Sequence, residues 1–291
     1  MALPSLAVIN FTSTLEDNEV LDAIHAVNRQ MTENFMPIWG IGRTLMPLVP
    51  NFDPTEDPDS LAEEPVPADS VMYLVDESTV EGALGFHDLN THDTPFGFVF
   101  VLDPADWTTT LSHEVLELIL DPTATVLVPG PDPRDANNTV LHAYEACDAV
   151  ERLSYSIGTV LVSDFVTPSY FTLGEAEGQR NDFLGVGLGS FGVTSGSHIA
   201  FFNLASGSFE TVFGRQKPTR AAMLKRFDLH DRHPKPARPS DARLDELFGK
   251  YRASAIGRRA APASNVRAIT RTARYTEAAA RLRRTMVAPQ H

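Results

Sequence analysis

The sequence that decides the fold lies at residues 112–122 and reads Ser-His-Glu-Val-Leu-Glu-Leu-Ile-Leu-Asp-Pro. With the threonines before it, this stretch predicts a helix over residues 108–120, which ends there because Pro122 disfavours a helical conformation just before it. Its valine, leucines and isoleucine cover most of the helix surface, so we expect the helix to lie in the core. At 100° per residue, His113 and Glu117 point to the same side of the helix.

The polar residues of this helix form the pattern His-Glu-x-x-Glu. In zinc peptidases with the pattern His-Glu-x-x-His, both histidines bind the metal and the glutamate activates a water molecule. Glu117 stands where the second histidine would be. We therefore predict His113 and Glu117 as ligands of a divalent metal and Glu114 as the general base. Zn²⁺ is the first candidate for this metal. Because carboxylates also suit harder cations, Mn²⁺, Mg²⁺ and Ca²⁺ are further candidates. A solvent-facing acidic helix with a chance match is the alternative.

A second acidic segment, at residues 144–151, reads Tyr-Glu-Ala-Cys-Asp-Ala-Val-Glu. If the segment is helical, Glu145 and Asp148 share a face, and if it is extended, Glu145 and Cys147 share one. Either conformation can supply a third metal ligand, for which Glu145 is the first choice and Asp148 the second. An exposed acidic segment without a ligand is the alternative.

Two His-Asp pairs, at residues 87–88 and 92–93, flank a turn before a buried strand that we predict at residues 96–102. In zinc peptidases, the strand next to the metal-binding helix commonly lines the substrate cleft. His87 is therefore a candidate substrate-binding residue, with a position in a surface loop as the alternative. We expect the strand at residues 96–102 to hold the substrate in an extended conformation.

The order of the remaining elements predicts an α+β fold. We expect a helix over residues 13–36, with Ser13 and Glu16 as a capping box and Pro37 as its end. The predicted strands are residues 6–11, 44–49, 71–75 and 83–87, a hairpin of 155–157 and 159–166, and β-structure within 183–204.

Charged residues divide the chain unevenly. Residues 1–214 contain five basic and 32 acidic side chains, whereas residues 215–291 contain 19 basic and six acidic ones. This difference predicts an acidic metal-binding domain over residues 1–214, a linker rich in proline and charge over 215–240, and a basic helical tail over 241–291. We expect the tail to contact an acidic protein surface, with nucleic acid as the alternative partner.

Composition excludes several classes of protein. No apolar run approaches the roughly 18 residues that a membrane-spanning helix needs, and the first residues lack the pattern of a secretory signal. The single cysteine, Cys147, excludes a disulfide scaffold and a zinc site made of several cysteines. We therefore expect a cytoplasmic protein without membrane contact.

The motifs together resemble a family of bacterial and phage-encoded proteins described as metallopeptidases. The matching stretches are residues 84–88, 112–122, 145–151 and 162–168, and the resemblance covers residues 5–205. The motifs and the resemblance lead us to expect a zincin-like mixed sheet around a buried His-Glu-x-x-Glu helix, and hydrolysis of a peptide or protein substrate by a metal-activated water. The alternative is a non-catalytic protein, stabilised by the metal, with a role in structure or assembly.

Overall fold

The computed structural model of the chain describes residues 4–52, 61–76, 84–102, 106–174 and 178–214. These residues form a mixed α+β fold with several sheets and few helices, as the order of elements predicted. The predicted linker and helical tail, at residues 215–291, lie outside the described residues. Within the described ranges, every helix is too short or too polar to cross a membrane.

A five-stranded mixed sheet forms the first half of the fold. Its strands follow the order β2-β1-β3-β5-β4, in which neighbours are parallel except that β4 runs antiparallel to β5 and lies at the edge. The strands, numbered in chain order, are β1 (Ser5–Asn10), β2 (Thr44–Pro47), β3 (Ser70–Val75), β4 (Gly85–Leu89) and β5 (Pro95–Phe100).

Both faces of this sheet are buried, because successive side chains of a strand point to opposite faces. One face packs against two helices, α1 (Asp17–Gln30) and α3 (Trp107–Leu120), through residues such as Leu74 and Val99. The other face carries the aromatic residues of β4 and β5 and packs against residues near Leu61. Because Phe86 belongs to the second face, Gly85 and His87 on β4 face the helices.

The first helical region differs from its prediction at both ends. The helix α1 begins after Glu16 rather than Ser13, and the Glu19 carboxylate accepts a hydrogen bond from the backbone N–H of Glu16 at 2.9 Å. Pro37 does not end the region. A π-helical turn (Met31–Phe35) leads into a short helix α2 (Met36–Trp39), and Pro37 lies in the first turn of α2.

A second, antiparallel sheet and a hairpin complete the fold. The sheet has the order β11-β10-β7-β6, and the hairpin pairs β8 with β9, at the position predicted around Gly158. The strands are β6 (Leu127–Asp132), β7 (Asp135–Ala143), β8 (Ser154–Ile157), β9 (Val160–Ser163), β10 (His198–Asn203) and β11 (Ser208–Phe213).

Several of these strands were not predicted. The strand β6 contains Pro129 and Pro131. An edge strand tolerates proline, but proline in a sequence argues against a strand, so β6 was not predicted. The β-structure expected over residues 183–204 is limited to residues 198–203. The preceding residues are irregular, and Gly185 and Gly187 adopt φ angles of 70° and 83°, which an extended strand does not contain.

Candidate metal centre

Helix α3 is held in place by apolar packing and by one buried polar network. Leu111, Val115 and Leu118 are completely buried in the core beside the sheet. The Ser112 hydroxyl donates to Gln30 Oε1 of α1 at 2.7 Å and accepts the backbone N–H of Ser163 at 3.0 Å. Because the buried groups of this network are satisfied on three elements, α3 has a defined rotation about its axis. That rotation fixes where His113 and Glu117 point.

His113, Glu117 and Asp148 converge on one point beside the helix. The Nε2 atom of His113 lies 3.2 Å from Glu117 Oε2 and 3.4 Å from Asp148 Oδ1. One ligand atom of each residue lies within 4.8 Å of the other two, so the three could hold one metal ion. We call this group position 1.

The segment after β7 brings Asp148 to position 1. Residues 144–147 are neither helix nor strand, and a 3₁₀ turn follows at Asp148–Val150, so neither conformation considered for the segment is adopted. The backbone N–H groups of Cys147 and Asp148 donate to Glu117 Oε1 at 3.0 and 3.2 Å. This tie to α3 turns Asp148 toward His113, whereas Glu145 Oε2 lies 3.7 Å from Nε2 of His87.

His87 is buried, with 5% of its surface exposed, and lies on the edge strand β4. A position in a surface loop was therefore the wrong alternative. Its Nδ1 atom lies 3.5 Å from Glu114 Oε2 and 3.9 Å from Glu117 Oε2. Ligand atoms of these three residues also lie within 4.8 Å of one another, and we call this second group position 2.

Two residues of the site were missed in the sequence. His198, at the start of β10, places Nε2 3.2 Å from Asp148 Oδ2 and Nδ1 3.1 Å from Glu151 Oε2. His198 precedes an apolar run far along the chain from His113, so no local spacing relates the two. Glu151 belongs to the acidic segment, but a role for it depends on the position of His198.

Burial and neighbouring charges perturb the titration of the site. Burial opposes protonation of His113, but the Glu117 charge and hydrogen bonds to Asp148 and Glu117 outweigh it, so its pKa is raised well above the usual value. His198 is likewise buried, yet the charges of Asp148 and Glu151 raise its pKa to about 10.

The pKa values of two carboxyl groups in the site are shifted in opposite directions. Burial works against ionisation of Asp148, but His198 and His113 hold its pKa far below the ordinary value. Burial, followed by repulsion from Glu117 and Asp148, raises the pKa of Glu145 well above its usual range. Protonated histidines therefore balance part of the negative charge of these carboxylates.

A cavity of about 210 Å³ lies in front of these residues. Its wall includes Gly85 and His87 from β4, and Thr109 and Thr110 from the first turn of α3. The strand predicted to hold a substrate, at residues 96–102, contains β5. A substrate cannot pair with β5, because β3 and β4 are hydrogen-bonded to its two edges. Among the described strands, β4 is the one at this edge of the sheet.

Comparisons with protein-family models, with curated proteins and with solved structures gave no match to this chain.

Proposed function

We propose that this protein is a metal-dependent hydrolase that cleaves peptide bonds with a metal-activated water. One observation carries the proposal: the spacing of the ligand atoms at position 1. Ligand atoms about 2.05 Å from one ion in a tetrahedral arrangement lie about 3.3 Å apart. His113 Nε2 lies 3.2 and 3.4 Å from its two carboxylate partners, so these residues fit a divalent ion.

Surrounding groups support the same ligands. In metal sites, the ligands are generally oriented by hydrogen bonds to neighbouring groups. Glu117 is oriented by two backbone N–H groups through Oε1, which leaves Oε2 facing His113. Asp148 is oriented by His198 through Oδ2, and His198 in turn by Glu151. Zn²⁺ is the first candidate for one imidazole and two carboxylates, with Mn²⁺, Mg²⁺ and Ca²⁺ as alternatives.

Glu114 is the base of the proposed reaction. A bound divalent ion lowers the pKa of a coordinated water to about 7 and polarises a carbonyl group. Glu114 is next to His113 in sequence but outside position 1, and an oxygen of its carboxylate lies within 4.8 Å of one of Glu117. From there it can accept the proton of the attacking water and return it to the leaving amine.

The substrate would bind along β4. A strand at the edge of a sheet has backbone groups that can pair with an extended peptide. In the described part of the chain, β4 borders the cavity and has a neighbour on one side, β5. His87 faces the cavity from this strand and would contact the substrate or orient Glu114.

A non-catalytic protein stabilised by the metal is the second candidate. The contacts of Asp148 with His113 and His198 favour it, because they join helix α3 to strand β10, and an ion bound there would strengthen this junction. Such a protein would need the ligands but would have no use for Glu114 as a base.

The replacement Glu114→Gln separates the two candidates. In a hydrolase, the variant keeps the ion at position 1 and its melting temperature but loses peptide turnover by at least about a hundredfold, because an amide cannot accept the proton. Turnover is measured on a peptide library with Zn²⁺ or Mn²⁺. The control is Glu33→Gln, a change at an exposed residue of the π-helical turn after α1. Wild-type protein that cleaves no peptide would favour the structural role.

A further inference from the structure

We propose that position 2, formed by His87, Glu114 and Glu117, is a second and weaker cation site that regulates the first. The inference rests on the proposed function, because it concerns Glu114, the base of the proposed reaction. When position 2 is filled, Glu114 is a ligand and no longer accepts protons, so an excess of divalent metal inhibits the enzyme.

The geometry of position 2 suits a cation. The Nδ1 atom of His87 lies 3.5 Å from Glu114 Oε2 and 3.9 Å from Glu117 Oε2, slightly wider than the spacing at position 1. The other ring nitrogen, Nε2, faces Glu145 Oε2 at 3.7 Å. A carboxylate behind the second nitrogen is the usual environment of a metal-binding histidine, because it fixes the orientation of the ring.

Glu117 connects the two positions through a single atom. Its Oε1 accepts two backbone N–H groups, so Oε2 is the oxygen that faces both His113 and His87. Two ions bridged in this way lie about 3.5–4 Å apart in two-metal sites. Because they share one ligand and repel each other, the second ion binds more weakly than the first.

The charge of the cleft also favours two ions. Six carboxylates line the cavity, together with Arg152 and three histidines, His87, His113 and His198; the carboxylates are Asp106, Glu114, Glu117, Glu145, Asp148 and Glu151. A second ion at position 2 would lie against Glu114 and near Glu145 and would offset part of this negative charge.

Gly85 allows Glu114 to reach position 2. A Cβ atom at residue 85 would lie 2.8 Å from Glu114 Cγ and 2.8 Å from its Oε1. The glycine therefore leaves the space in which the Glu114 side chain lies against β4, beside His87 two residues further along the strand.

Titration of the metal-free full chain with Mn²⁺ tests this inference without any substrate. Calorimetry should give two ions per wild-type molecule, the second at least about tenfold weaker, and electron paramagnetic resonance should show spin coupling between them, because they share an oxygen. His87→Ala and, as a variant that preserves shape, Glu114→Gln should each lose the second ion and the coupling. Both should keep the first ion, and the exposed His25→Ala should bind as wild type does.

One tightly bound ion per wild-type molecule, or a second ion that survives both substitutions without spin coupling, would overturn the inference. Neither result affects the proposed function, which fails separately if Glu114→Gln retains full turnover at one bound ion. If turnover is present, it should rise and then fall by about tenfold as Mn²⁺ exceeds the second dissociation constant, and an activity that stays at its plateau contradicts regulation through position 2.

Discussion

At the scale of single residues, the two oxygens of Glu117 have different partners. One accepts hydrogen bonds from the backbone of residues 147 and 148, and the other faces His113. A histidine at this position would offer one nitrogen to a metal and could not accept both N–H groups. Glu117, a proposed ligand, therefore also positions Asp148.

Gly85 provides a prediction at the same scale. The change Gly85→Ala should displace the Glu114 carboxylate, because the added Cβ would lie 2.8 Å from both Glu114 Oε1 and the carbonyl oxygen of Phe98. Overpacking of this kind costs about 1–3 kcal/mol. We expect a lower melting temperature and, beyond that, at least about a tenfold loss of turnover per folded molecule.

Gly42→Ala is the matched control. Its Cβ would lie 2.5 Å from Met36 Cγ and 2.7 Å from Met36 Sδ, so it overpacks a residue of α2 that does not line the cavity. This variant should lose stability but keep turnover per folded molecule. Equal turnover in the two variants would contradict a specific role of Gly85.

At the scale of elements, a buried pair of carboxyl groups joins the end of β9 to the loop after residue 178. Asp164 Oδ1 accepts the backbone N–H groups of Phe165 and Leu184, and Asp182 Oδ2 accepts that of Val186. Asp164 Oδ2 and Asp182 Oδ1 are buried with no donor among the described residues. We expect a proton shared by the two carboxyl groups to supply this donor. Burial, with the charge of Asp182, raises the pKa of Asp164 to about 7.

This pair predicts a pH dependence of stability. Because the pKa is raised in the folded state, unfolding releases a proton between pH 4 and 7, so the free energy of unfolding should fall as pH rises through this range. The shift from 3.8 to about 7 corresponds to an upper bound of about 4 kcal/mol. Asp164→Asn should remove this loss, since its amide can donate to Asp182 at every pH.

Urea unfolding of wild type, Asp164→Asn and the exposed control Asp22→Asn at pH 5 and pH 8 measures the effect. The Asp164 variant should be the most stable of the three at pH 8. A variant whose stability falls between pH 5 and pH 8 as much as that of wild type would show that the pair does not share a proton.

Elements with a clear hydrophobic pattern were predictable from the sequence, and others were not. Helix α3 begins within one residue of its prediction, because its apolar residues and Pro122 define it locally. The strand β6 could not be predicted because it contains Pro129 and Pro131. Proline argues against a strand unless the strand is known to lie at an edge. Asp148, rather than Glu145, lies beside His113 because of two hydrogen bonds from the backbone to Glu117, which no local pattern reveals.

At the scale of the whole molecule, the site lies where the two halves of the fold meet. His87 and Glu117 come from the first sheet and its helix, Asp148 follows β7, and His198 begins β10 of the second sheet. The sequence predicted the α+β class and most first-half elements, because those patterns are local. It could not place His198, whose role depends on the pairing of β10 with β7 and β11.

The uneven charge distribution leads to a prediction about the entire chain. Residues 1–214 carry five basic side chains, and residues 215–291 carry 19. We expect limited proteolysis to cut between residues 227 and 240 and to leave a folded fragment with the melting temperature of the intact chain, because the proline-rich segment reads as a linker. A fragment that unfolds on cleavage would show that the tail belongs to the core.

The central claim is that a divalent ion binds at His113, Glu117 and Asp148, and thermal unfolding with and without a chelator tests it most directly. An ion present at about a hundred times its dissociation constant stabilises the folded state by about 2.7 kcal/mol, which corresponds to roughly 5–10 °C in a domain of this size. We predict that a chelator lowers the melting temperature of metal-loaded wild type by this amount and leaves His113→Ala unchanged. Identical melting curves of wild type with and without chelator would contradict the claim.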